Sequence, residues 1–189
     1  MNCSTLPDGY RQIGGIDLLR DRRAALIVNI GALVIALLLV PLGLFWRPFF
    51  FPADSLFSLL LWLVLLFGAM LIYMVLHELV HGVLMRHYSG IKPHYGFNGF
   101  YAYAGSAAYF DRKTYLIIAL APVVLLGTLL LVLCIAAPPA LFWSCYFIEI
   151  VNLSGAAGDL YVSWLLRKLP ADLLVQDSGV AMKFFSASK

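Results

Sequence analysis

Four apolar runs divide the chain. Residues 24–45, 56–85, 115–137 and 141–166 each reach the ~20 residues that a helix needs to cross a bilayer. Asn29 is the one strongly polar residue inside the first run, and Pro41 and Gly43 mark its exit. Trp46-Arg47-Pro48 suits an interface, 49–53 turns the chain, and Asp54 or Ser55 can cap the second run. Asp111 or Thr114 starts the third. Pro122 lies inside it, and such a proline kinks a helix and frees a carbonyl that a neighbouring helix can satisfy. Pro138-Pro139 turns the chain into the fourth run. Residues 90–110 break the helical pattern. There His94-Tyr95-Gly96-Phe97 and Phe100-Tyr101-Ala102-Tyr103-Ala104 flank Asn98-Gly99, a β-hairpin signal. The hairpin can be a plain aromatic connector, or its free edge can pair with an extended peptide; the sequence leaves both open. Ile13 to Arg23 reads as a short interfacial helix or an ordered leader. The tail, 167–189, is too polar in its middle to span. It reads as a small hairpin of Leu173-Leu174-Val175 and Met182-Lys183-Phe184-Phe185 about Asp177-Ser178-Gly179. The expected fold class is an all-α membrane protein with four transmembrane helices, a short aromatic β-hairpin after the second, and a single domain over 1–189.

Composition agrees. The chain is 62% hydrophobic and 12% charged, with a mean hydropathy of +0.90, which excludes an ordinary soluble globule. A net charge of +3 gives no nucleic-acid footprint. Its distribution is more informative. Four spans place both termini on one side, together with Arg11, Arg20, Arg22, Arg23, Arg86, Lys92, Arg112, Lys113, Arg167, Lys168, Lys183 and Lys189, and leave only Arg47 opposite. The positive-inside rule makes the shared side the cytoplasm. The run after Arg23 is too long for a signal peptide and lacks a clear cleavage site. Cys3, Cys134 and Cys145 form no CxxC spacing. The last two read as small hydrophobes, although they could meet across the turn between their helices.

The chemistry concentrates in Leu76-His77-Glu78-Leu79-Val80-His81-Gly82, at the end of the second run. Residues four apart share a helix face, so His77 and His81 can hold one metal ion through neutral ring nitrogens, with Glu78 beside them to take a proton from water. Ionisable residues in an apolar span are costly and by default functional. A catalytic zinc takes three protein ligands. Glu149 and Asp159 are the carboxylates of the fourth run, on a polar face with Asn152 and Ala156. Depth separates them. His77 and His81 precede Arg86 by about 8–14 Å of helix, and Asp159 precedes Arg167 by about 12 Å, whereas Glu149 lies about 15 Å deeper. Asp159 is therefore the expected third ligand. Gly155 and Gly158 would allow close approach beside it. Asn152 could bond substrate backbone, a ligand carboxylate or a neighbouring helix, and Glu149 could be structural or a proton relay. His87 and His94 read as interface residues, His94 being the nearer alternative ligand.

His77-Glu78-Leu79-Val80-His81-Gly82 and Asn152-x-x-Gly155-x-x-Gly158-Asp159 together resemble the site-2-protease type of intramembrane zinc metalloprotease. Over nearly the whole chain, including Leu6-Pro7-Asp8-Gly9-Tyr10 and Asp177-Ser178-Gly179, the sequence resembles a family of small bacterial integral-membrane proteins known as putative zincin peptidases. The resemblance implies Zn2+ held by His77, His81 and Asp159, Glu78 as general base, and Asn152 as a substrate contact. The asparagine-to-aspartate spacing is one residue shorter than in the wider group, the intervening prolines are missing, and Leu160 follows Asp159. The function expected is a zinc-dependent, multi-pass peptidase of the bacterial inner membrane with both termini cytoplasmic. It would act on a peptide or membrane-protein substrate at the cytoplasmic side of the bilayer. The alternative is a non-catalytic metal-binding membrane regulatory protein. The sequence gives neither the substrate nor the oligomeric state.

Overall fold

In a computed structural model, residues 2–49, 53–99 and 101–187 are described. Phe100 in the expected hairpin arm, residues 50–52 of the expected turn, and Lys189 among the cytoplasmic cations lie outside them. The helices are α1 (Arg22–Trp46), α2 (Leu56–Ser89), α3 (Arg112–Ala136), α4 (Pro139–Gly155) and α5 (Ala157–Leu166). Taken with α4 and α5 as one stretch, they give four helices long and apolar enough to cross a membrane, which supports a multi-pass membrane protein. Large apolar side chains stand exposed along them, Leu37, Leu38, Val64, Leu65, Val124 and Leu125 among many. In water such continuous patches would drive association; in lipid they face hydrocarbon.

Local chemistry sets the helix ends. The Asp21 carboxylate accepts from the Arg23 and Ala24 N–H groups and opens α1. Ser55 and Ser58 form a reciprocal capping box on α2, and Asp111 caps α3 through the Thr114 N–H; each cap contributes about 1 kcal/mol. α2 is 34 residues long, about 51 Å, so its last turns project beyond an apolar slab of ~30 Å. It ends at Gly90, whose φ of 72° is the left-handed conformation glycine adopts without strain. The fourth span is broken at Ala156, between Gly155 and the start of α5. The unbroken helix expected over 141–166 is corrected in that respect. Two glycines within four residues weaken the helix there.

Among the described residues six strands accompany the helices, more than the two hairpins expected of an all-α chain. β2 (His94–Phe97) and β3 (Ala102–Gly105) form the antiparallel hairpin after α2. Its turn is closed between Asn98 and Tyr101, so Asn98 is a corner of the turn and not its centre. β1 (Arg11–Asp17), β4 (Tyr109–Asp111), β5 (Leu174–Asp177) and β6 (Ala181–Ser186) form an antiparallel sheet in the order β1-β6-β5-β4. β5 and β6 are the expected tail hairpin. β1 overturns the interfacial helix expected over Ile13 to Arg23, of which only Arg22 and Arg23 are helical. Gly14-Gly15 costs a helix about 1 kcal/mol per residue. In the sheet, Gly15 passes so close to β6 that a Cβ would sit 2.7 Å from the Met182 carbonyl oxygen.

β1 leads into α1, β4 leads into α3, and β5 follows α5, so the sheet covers one end of the bundle. A core of Phe110, Ile118, Leu166, Val175 and Phe184, with Met85 from α2, welds sheet to helices. Each fully buried large side chain there contributes about 2 kcal/mol. A second cluster, Cys134, Phe142, Trp143, Tyr146 and Ile150, joins α3 to α4 at the far end. Cys3, Cys134 and Cys145 are free thiols.

Candidate metal centre

The last third of α2 carries His77 and His81 one turn apart, with both rings buried and 4.9 Å between their centroids. The break at Ala156 starts α5, and Asp159 stands in its first turn. Its carboxylate reaches both histidines: Oδ2 is 3.3 Å from His77 Nε2, and Oδ1 is 3.6 Å from His81 Nε2. The three donors lie within 4.8 Å of one another. A tetrahedral zinc with bonds of 2.0–2.1 Å has ligand–ligand edges of about 3.3–3.4 Å. The two measured separations therefore fit a zinc ion with little rearrangement. Two imidazoles and one carboxylate are also the borderline donor set that zinc favours, and they leave a fourth position open.

The centre opens on a cavity of about 660 Å³, the size of a ligand site. Glu78 lies in its wall beside the ligands, half-buried. Tyr101 to Ala104 form another wall, so the hairpin's second arm borders the cavity. Gly155 and Gly158 line it too, and a Cβ at either would meet nothing within 4 Å. They stand beside open space, where close helix packing was one of the options the sequence offered. Asn29 of α1 faces the same cavity. Its signal was plain in the sequence, a lone amide in an apolar span, yet nothing there tied it to a site.

The remaining candidates lie elsewhere. Glu149 is buried outside the ligand cluster and accepts a hydrogen bond from Asn152 Nδ2 at 3.1 Å. Asn152 is 0% exposed and sits behind the histidines, where Tyr73 Oη donates to its Oδ1 at 2.6 Å. His94 is exposed against the Ser178 carbonyl, and His87 is exposed against Tyr88. Two contacts of the ligands escaped sequence reasoning. Tyr73 Oη is 2.9 Å from His77 Nδ1, and the Ile118 carbonyl is 2.9 Å from His81 Nδ1. Tyr73 had a signal, since it lies one turn before His77 on the same face. Outside the spans, burial pushes the Asp177 carboxyl above the usual range, against the pull of the Tyr115 hydroxyl and the Gly179 N–H. Asp177 forms part of the cavity wall on the sheet side.

No curated protein and no solved structure matches the chain. A family model described as "Putative zincin peptidase" matches residues 70–174, more than half of the chain, and that stretch contains His77, Glu78, His81 and Asp159 alike. With zinc-compatible donors already converging inside the matched region, the chain belongs to the putative zincin peptidase family.

Proposed function

We propose that the chain is a membrane-embedded zinc peptidase of the site-2-protease type, hydrolysing peptide bonds at the cytoplasmic side of the bilayer. The observation that carries this reading is the convergence of His77, His81 and Asp159, at zinc-like separations, on a cavity that also holds Glu78. Bound zinc would polarise the scissile carbonyl and acidify the attacking water. His77, His81 and Asp159 would hold the ion, whose charge would stabilise the developing oxyanion. Glu78 takes the proton from water as its oxygen attacks the carbonyl carbon. It returns that proton to the amide nitrogen as the C–N bond breaks, giving a carboxylic acid and an amine; the acid's remaining proton then passes to the amine, leaving carboxylate and ammonium. An extended peptide lies along β3 in this reading, since a helical segment would hide its carbonyls and must unwind first. The basic residues at the sheet-covered end support a cytoplasmic location for that end in this reading.

Cleavage of casein by zinc-loaded protein in detergent tests the proposal. Wild type should cut it, and Glu78→Gln should lose at least ~10²-fold in rate while keeping its zinc. A Glu78→Gln protein that cleaves like wild type refutes the assignment.

A further inference from the structure

The polar groups behind the two histidines form a directed network, and their hydrogen-bond roles can be assigned one after another. The Ile118 carbonyl only accepts, so His81 Nδ1 must carry the hydrogen that bonds it at 2.9 Å. On the other side, Asn152 Nδ2 faces two acceptors, the Val123 carbonyl at 3.4 Å and Glu149 Oε2 at 3.1 Å. That fixes the amide's orientation and leaves Oδ1 as an acceptor. Tyr73 donates its one hydroxyl hydrogen to that Oδ1. The hydroxyl oxygen can then only accept from His77 Nδ1, 2.9 Å away. Both rings therefore carry hydrogen on Nδ1, and both Nε2 atoms face the Asp159 oxygens.

The Ile118 carbonyl is open for a reason written in the sequence. Residue 118 of a helix ordinarily accepts from the N–H of residue 122, and residue 122 is Pro122, inside α3, with no N–H to give. The proline thus exposes a carbonyl at the depth where His81 needs one.

We propose that Tyr73, oriented by Asn152 and Glu149, and Pro122, through the Ile118 carbonyl it releases, are positioning residues that lock both histidine ligands in the Nδ1–H tautomer and aim Nε2 at one metal ion. The inference rests on the zinc reading above and adds residues that do not touch the metal. Outer partners of metal-bound histidines are worth about 10–100-fold in affinity.

The test uses the full chain in detergent, with zinc affinity measured by competition against a chromogenic chelator. Tyr73→Phe removes the acceptor for His77. Pro122→Ala restores an N–H that recaptures the Ile118 carbonyl. Each should weaken zinc binding about 10–100-fold. Tyr146→Phe removes a comparable buried hydroxyl at the far end of the bundle, bonded to the Leu39 carbonyl, and should leave zinc affinity unchanged. Long-range ¹H–¹⁵N spectra of ¹⁵N-histidine-labelled protein should show Nδ1–H on His77 and His81 in the wild type, and altered ring signals of His77 in Tyr73→Phe. This spectrum keeps the test decisive if Pro122→Ala does not fold. Wild type with tight zinc but Nε2–H on either ring, or unchanged affinity in Tyr73→Phe, overturns the positioning role and leaves the zinc reading standing. Wild type that binds no zinc, with sound fold, overturns both.

Discussion

Asp159→Ala is the substitution that isolates the contribution of tertiary structure to the metal centre. His77 and His81 can approach one another on α2 alone, but Asp159 arrives from α5, 82 residues after His77. It is also the only anion among the three donors. Structural zinc sites bind with about 10–16 kcal/mol shared over four ligands, or ~2.5–4 kcal/mol each. At 1.4 kcal/mol per factor of ten, loss of one ligand weakens binding by about 10²–10³-fold. Loss of the sole negative charge beside a dication puts the expectation toward the upper end. Zinc content and chelator competition measure the affinity directly. A thermal-shift assay gives a second readout: zinc at about 100 times the wild-type Kd should stabilise wild type by ~2.7 kcal/mol and the variant hardly at all. Glu149→Ala, made in parallel, should keep its zinc within the ~10–100-fold window of an outer-partner change. Wild-type affinity in Asp159→Ala, or a greater loss in Glu149→Ala than in Asp159→Ala, would refute the assignment of the third ligand.

Other expectations follow from burial and electrostatics. Phe110 is 0% exposed where the sheet meets the helices, so Phe110→Ala should cost about 3–5 kcal/mol; a denaturation midpoint unmoved in detergent would contradict this core. Gly127→Ala would place a Cβ 2.5 Å from Asn152 Nδ2. Overpacking of ~1–3 kcal/mol outweighs the ~1 kcal/mol gained in helix propensity, so the variant should be less stable and bind zinc more weakly than wild type. Asp177 has its carboxyl raised by burial. The folded chain therefore favours the protonated form, and this contribution to stability is present at low pH and is lost as pH rises from the ordinary carboxylate range through the raised value. Asp177→Asn should flatten that part of the pH–stability curve, and thermal unfolding followed as pH is raised from the ordinary carboxylate range would show whether it does.

The sequence alone determined what depends on composition and on spacing within one helix. Apolar runs long enough to cross a bilayer are visible without tertiary context because lipid demands continuous hydrophobicity. The four spans accordingly begin and end within a few residues of the structural helices. His77 and His81 share a face because helical period is local, and depth along two spans set Asp159, not Glu149, level with the histidines, beside which the structure also places it. What the tertiary structure alone decided depends on pairing between distant segments. β1 was unreadable because a Gly-Gly strand is defined by the edge of β6, about 170 residues later. The break at Ala156 carries no proline to announce it. The place of Asn152, deep behind the histidines and hydrogen-bonded to Tyr73 and Glu149, follows from how α2, α3 and α4 rotate against each other. Pro122 stood between the two cases: the sequence showed that its helix would release a carbonyl, and only the packing of α3 on α2 showed that His81 is the group that takes it.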